Sequence, residues 1–135
     1  MSFVLDSSIA LAWIYQDELT PAALQIAERV SQSGAWVPMI WRLEVANSLQ
    51  NSIRRGRIDV AFRDQALADL SALNITTDSE TNALAWTDTL RLADRLQLTL
   101  YDACYLELAH RRALPVASLD RDLRAAARKL KIPLL

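Results

Sequence analysis

Cysteine, glycine and histidine are nearly missing from this chain, and each shortage removes a class of function. Cys104 is the single cysteine and lies inside an apolar segment, so neither a disulfide framework nor a thiolate metal centre can be assembled. Gly34 and Gly56 are the only glycines, which excludes a Gly-rich phosphate loop and with it a Rossmann cofactor site or a P-loop. His110, the only histidine, sits beside Arg111 and Arg112 and reads as a surface position rather than a general base. No apolar run approaches the roughly 18 residues of a membrane span. Asp6 arrives too early for the apolar core of a signal peptide, and the expectation is a cytoplasmic protein with no membrane association. Excess charge is missing too: 15 Lys and Arg against 16 Asp and Glu leave a net −1. Any attraction to nucleic acid must therefore come from local patches.

What is present suits one globular domain over residues 1–135, with 52% hydrophobic and 23% charged residues. The apolar run Phe3-Val4-Leu5 ends in Asp6-Ser7-Ser8 and predicts a buried strand and a turn, followed by a short helix through 9–13. Thr20-Pro21 is an N-cap with proline at the first helical position; its helix turns Ala23, Leu24, Ala27 and Val30 inward and ends near Gly34. Residues 35–38 form a second strand. Trp41, Val45, Leu49 and Ile53 recur every fourth residue in a helix over 39–55 that Gly56 stops. Asp59 caps another helix, with Phe62, Ala66, Leu70 and Leu73 inward, and a weak strand follows at 74–76.

Thr77-Asp78-Ser79-Glu80 has the form of a capping box, and the helix after it is expected to bury Ala83, Trp86, Leu90 and Ala93. A helix from Thr99 is apolar nearly all round as far as Ala109, which marks it as central. A strand over 114–118, an amphipathic helix over 120–131 and an edge strand at 132–135 complete the chain. Short strands alternating with helices predict an α/β fold: a short parallel sheet with helices on both faces.

Four carboxylates stand out against this frame. Asp6 ends the first strand, Glu44 interrupts an apolar helix, Asp102 opens the central helix, and Asp120 follows Val116-Ala117-Ser118-Leu119. An ionised carboxylate near a core must be paired, hydrogen-bonded or bound to a cation. Strand ends and helix first turns cluster at one edge of a parallel sheet, where ligands bind, so the topology permits all four to meet. Each also has an ordinary reading. Asp120 serves equally well as an N-cap, Asp102 stands three residues after Thr99 as in a capping box, and Asp6 fits a plain turn. Glu44 has Ile40, Trp41, Asn47 and Ser48 at helical neighbour spacing and no basic partner among them. The combination, more than any single residue, points to divalent-metal chemistry on phosphate esters. Carboxylate oxygens without His or Cys suit Mg²⁺ or Mn²⁺.

Phe3-Val4-Leu5-Asp6-Ser7-Ser8 resembles the opening of PIN-domain nucleases. Leu43-Glu44-Val45-Ala46-Asn47-Ser48-Leu49 is similar to their second acidic motif, and Leu98 to Leu106, with Tyr101-Asp102-Ala103 at its centre, to the third. Leu114 to Leu123, with Ser118-Leu119-Asp120-Arg121-Asp122, resembles the fourth. The resemblance spans essentially the whole chain in family order, and its compact length looks most like VapC-type toxins of bacterial toxin–antitoxin pairs. It implies a Mg²⁺- or Mn²⁺-dependent endoribonuclease with Asp6, Glu44, Asp102 and Asp120 as catalytic and metal-binding acids. Ser8 matches an accessory position beside the first acid, Ser118 stands where the family often has Thr, and Asp122 is a rival to Asp120 as the fourth acid. It also implies a homodimer and a cognate VapB-type antitoxin whose C-terminal segment covers the site.

Arg121, Arg124, Arg128 and Lys131 share one face of the last helix. The first three are candidate RNA contacts, although a solvated face opposite Leu123, Ala127 and Leu130 explains them as simply. Trp13, Trp36, Trp41 and Trp86 are placed for core or dimer-interface packing rather than base stacking, and the apolar surface around Ile9, Trp13 and Leu24 suits an antitoxin groove. Two rivals differ in class. A non-catalytic PIN-like module binding RNA or protein would show no metal response. A phosphotransfer enzyme or receiver domain needs further acids that the chain does not have, since Ser8 stands where a second Asp is wanted.

Overall fold

The computed structural model describes residues 1–135. Its centre is a four-stranded parallel sheet of very short strands: β1 (Val4–Leu5), β2 (Ala35–Val37), β3 (Ile75–Thr77) and β4 (Val116–Ala117). Their spatial order is β3-β2-β1-β4, with Val4 opposite both Trp36 and Val116. The chain thus builds outward from β1 through β2 to β3, then crosses back to place β4 on the other side of β1. The crevice between the carboxyl ends of β1 and β4 is the point where strand order reverses, the usual ligand position in such sheets.

Eight α-helices flank the sheet: α1 (Ser7–Ile14), α2 (Pro21–Ser33), α3 (Trp41–Arg54), α4 (Val60–Ser71), α5 (Thr81–Leu84), α6 (Asp88–Leu96), α7 (Leu100–Arg112) and α8 (Arg121–Lys129). Local chemistry sets their ends. The Thr20 hydroxyl accepts from Ala23 N and Pro21 opens α2, while Asp59 and Thr99 cap α4 and α7 in the same way. Gly34 ends α2 at φ +70, where a Cβ would lie 2.8 Å from Asn74 Nδ2, so conformation and space both require glycine. With so few glycines, Gln97, Ala113 and Lys131 take the left-handed conformation after α6, α7 and α8 instead.

α7 is the central helix, buried continuously from Ala103 to Ala109 and packed against β1, β4 and α6. Asp78 lies fully buried just past β3. It accepts from both terminal nitrogens of Arg111 at 3.1 and 2.7 Å, from Arg112 at 3.2 Å and from Thr81 Oγ1 at 3.1 Å. Arg111 also binds Glu107 and Glu80, and Arg112 stacks on the Trp36 ring at 3.6 Å. This network ties the outer side of the sheet to the end of α7.

Several expectations are corrected here. The segment Thr77 to Glu80 is not a capping box: Thr77 ends β3, Asp78 is drawn into the arginine network, and Glu80 makes no side-chain cap. The helix beyond it breaks between Leu84 and Asp88, which rotates the buried face onto Thr89 and Ala93. Ala83 is exposed, as are Leu90 and Trp86, the latter at 88%. Leu24 and Phe62 are also exposed; Ile26 turns inward in α2, while Leu70 is buried in α4 as expected. The edge strand at 132–135 reduces to one parallel bridge between Val116 and Leu134.

Candidate active site

Asp6 follows β1 and is only 5% exposed. It occupies the N-cap position of α1 yet makes no capping bond with its side chain, because that carboxylate turns toward β4. Its Oδ2 accepts from Ser8 Oγ at 2.6 Å and from Ser118 Oγ at 2.7 Å. Each hydroxyl also receives a backbone bond: Leu119 N donates to Ser8 Oγ at 2.9 Å, and Asp120 N to Ser118 Oγ at 3.0 Å. With Asp6 N donating to Ala117 O, the ends of β1 and β4 are laced together at the reversal point. Burial pushes the Asp6 carboxyl above the usual carboxylate range, the two hydroxyls pull it partway back, and the charge of Asp120 raises it again.

The remaining acids arrive on helix first turns. Glu44 enters from α3 and its Oε1 accepts a short hydrogen bond from the Tyr105 phenol of α7. Burial, then repulsion from Asp6 and Asp102, raises the Glu44 carboxyl, while the Tyr105 bond lowers it. Asp102 lies in the first turn of α7, where its N–H donates to the Thr99 hydroxyl at 3.1 Å. Burial and the charges of Asp120 and Asp6 push its carboxyl up. Asp120 does cap α8, accepting from Leu123 N on Oδ1 at 3.0 Å, and faces the other acids as well. Its charge acts on both Asp6 and Asp102, and that of exposed Asp122 acts on Asp102 as well.

Asp6, Asp102 and Asp120 are therefore gathered within mutual electrostatic range at one sheet edge, with Glu44 in range of Asp6 and Asp102. No three of them close into a ready coordination shell. The donor set still fits a hard divalent cation: it is all carboxylate and hydroxyl oxygen. Asp6, Glu44 and Asp120 each commit one oxygen to the bonds above, which leaves Oδ1, Oε2 and Oδ2 respectively outside them.

Of the candidate RNA contacts, Arg124 is half-buried and donates from a terminal guanidinium nitrogen to the Ser118 carbonyl at 3.0 Å; Arg121 and Arg128 are exposed. Sequence reasoning overlooked Tyr105. Its signal was a tyrosine in an otherwise apolar helix, three residues after Asp102 and so on the same face. Cys104 is buried with its thiol pushed up to about 11, which leaves it inert as a nucleophile.

No curated protein sequence matches the chain. Among solved structures it is similar to PAE2754 from Pyrobaculum aerophilum, at 23% identity and a TM-score of 0.68 over 93% of this chain and 84% of that one. A toxin–antitoxin complex from Klebsiella pneumoniae matches at 18% identity and a TM-score of 0.59, covering 89% and 88% of the two chains. VapBC2 from Rickettsia felis, in a structure bound to a DNA fragment from its promoter, matches at 13% identity and a TM-score of 0.66, covering 100% and 98%. At these identities the likeness is one of fold. The model of the PIN domain family, however, matches residues 3–129 and takes in all four acids. On that match the chain belongs to the PIN domain family.

Proposed function

We propose that the chain, acting as one domain over residues 1–135, is a divalent-metal-dependent endoribonuclease of the VapC toxin type. The observation that carries this reading is the gathering of Asp6, Glu44, Asp102 and Asp120 at the sheet's reversal point, with Asp6, Glu44 and Asp102 all disfavoured in their charged forms. Carboxylates held at such a cost, from burial first and repulsion after it, are explained by a cation that offsets both. Asp6, Asp102 and Asp120, with Glu44, would hold Mg²⁺ or Mn²⁺. When bound, the cation would lower the pKa of an attacking water and offset charge on the phosphate oxygens.

The chain's own groups supply the rest. Ser8 and Ser118 fix Asp6 in one orientation. Asp122 adds negative charge at the rim, and Arg121, Arg124 and Arg128 offer positive charge along α8 to an RNA backbone. A cytoplasmic setting and a homodimer accompany this reading, as is common in the family.

A cognate VapB-type antitoxin is the proposed inhibitor, supported by fold neighbours that are toxin–antitoxin complexes. A groove of about 410 Å³ between α1, α2 and α4, lined by Trp13, Leu19, Leu24, Phe62 and Leu73, suits an apolar segment of such a partner. Ile9, assigned to that surface from sequence, is buried and does not line the groove.

The test is RNA cleavage by the purified chain, freed of any partner, in EDTA, Mg²⁺ or Mn²⁺, beside Asp6→Asn as the control for contaminating nucleases. Cleavage that needs metal and vanishes in the variant is the expected result. The alternative is a non-catalytic module that binds RNA or protein. RNA binding without cleavage, together with no metal response in melting temperature, would establish that reading instead.

A further inference from the structure

We infer that Tyr105 is a positioning residue of the acidic site, holding Glu44 in place against the repulsion of its neighbours. The inference rests on the metal-dependent reading above. Tyr105 is fully buried, and a buried phenol must find a hydrogen-bond partner. The partner it finds is Glu44 Oε1, 61 residues away on another helix. Glu44 forms no ion pair in the structure, and its helical neighbours offer none. Asp6 and Asp102 both push against its charge, and the residue is half-buried, so part of it reaches solvent.

A glutamate in that position has three side-chain torsions with which to turn away from the cluster. Tyr105 has two, both locked by packing in the centre of α7. Its hydroxyl therefore acts as a fixed point and ties one oxygen of Glu44 inward, leaving Oε2 for a cation. Asp102 stands three residues earlier on the same helix face. One rigid helix, packed on β1 and β4, thus sets Asp102 directly and Glu44 through a hydroxyl. Partners that orient metal-binding side chains in this way typically change metal affinity about 10–100-fold when removed.

The experiment is a Mn²⁺ titration of the intact chain, read as the rise in melting temperature and by calorimetry, for wild type, Tyr105→Phe, Glu44→Gln and the double variant. Tyr105→Phe deletes only the hydroxyl, and its melting temperature in EDTA reports whether the fold persists. The expected result is a Mn²⁺ requirement raised about 10-fold or more in Tyr105→Phe, with no further loss when it is added to Glu44→Gln. A merely structural role would lower the melting temperature in EDTA and leave the Mn²⁺ requirement unchanged. Wild-type affinity in Tyr105→Phe, or additive losses in the double variant, would overturn the positioning role while leaving the nuclease reading standing. Should the wild type show no Mn²⁺ response, the metal-dependent reading falls and this inference with it.

Discussion

The Ser118 hydroxyl donates to Asp6 Oδ2 at 2.7 Å across 112 residues of chain, and its oxygen in turn accepts from Asp120 N at 3.0 Å. One side chain thereby couples two of the four acids and clamps β4 to β1 where the sheet reverses.

Ser118→Ala should cost about 1–3 kcal/mol of stability, because the buried carboxylate loses one of its two hydroxyl donors. It should also lower the cleavage rate by loosening Asp6. Ser118→Thr keeps the donor and should retain most of both. Urea melts and RNA cleavage rates check this; full activity in the alanine variant would remove Ser118 from the site.

Asp6→Asn should leave the metal-free chain as stable as wild type at neutral pH, or more so. The reason is that burial and Asp120 already work against the Asp6 charge. Melting in EDTA tests the claim, and a drop of several degrees would show that the charge itself supports the fold. The same variant should lose the melting-temperature rise on adding Mn²⁺.

Asp78 behaves oppositely. Burial alone would raise its carboxyl, but the bonds from Arg111, Thr81 and Arg112 hold it below the usual carboxylate range. A depressed folded-state value means stability that is present above the unfolded value near 4 and is lost as pH falls through the folded one. Asp78→Asn should therefore cost stability at neutral pH, on the order of 3 kcal/mol for a broken buried pair. The difference from wild type should shrink in acid. Urea midpoints from pH 7 to pH 2.5 would show it, and a difference independent of pH would contradict the assignment.

Ala113 closes α7 at φ 54, a conformation that an L-residue adopts at a cost of roughly 1–2 kcal/mol. Ala113→Gly should stabilise the chain by about 0.5–1 kcal/mol once the freer unfolded state is counted. Thermal melts decide it, and a lower melting temperature would mean the methyl group contributes packing that outweighs the strain.

Much of this was legible in the chain because the signals are local. Thr20-Pro21, Asp59 and Thr99 cap the helices they were expected to cap, since a hydroxyl or carboxylate three residues from an unpaired N–H needs no tertiary help. Thr77 to Glu80 carries the same pattern and fails, because Arg111 and Arg112 from a distant helix compete for Asp78. Trp86 is exposed for a related reason: its periodicity points inward only along an unbroken helix, and a break of a few residues turns the whole face.

The alternation of strand and helix, the lack of residues for Gly-loop and thiolate chemistry, and the four conspicuous acids are all carried by residue type and short spacing along the chain. That β4 lies against β1, that Ser118 therefore reaches Asp6, and that Tyr105 bonds Glu44 from 61 residues away are set by long-range packing. Contacts between distant segments depend on the order of strands and the depth of packing, which no local pattern encodes. In this chain those contacts gather the carboxylates into one charged cluster.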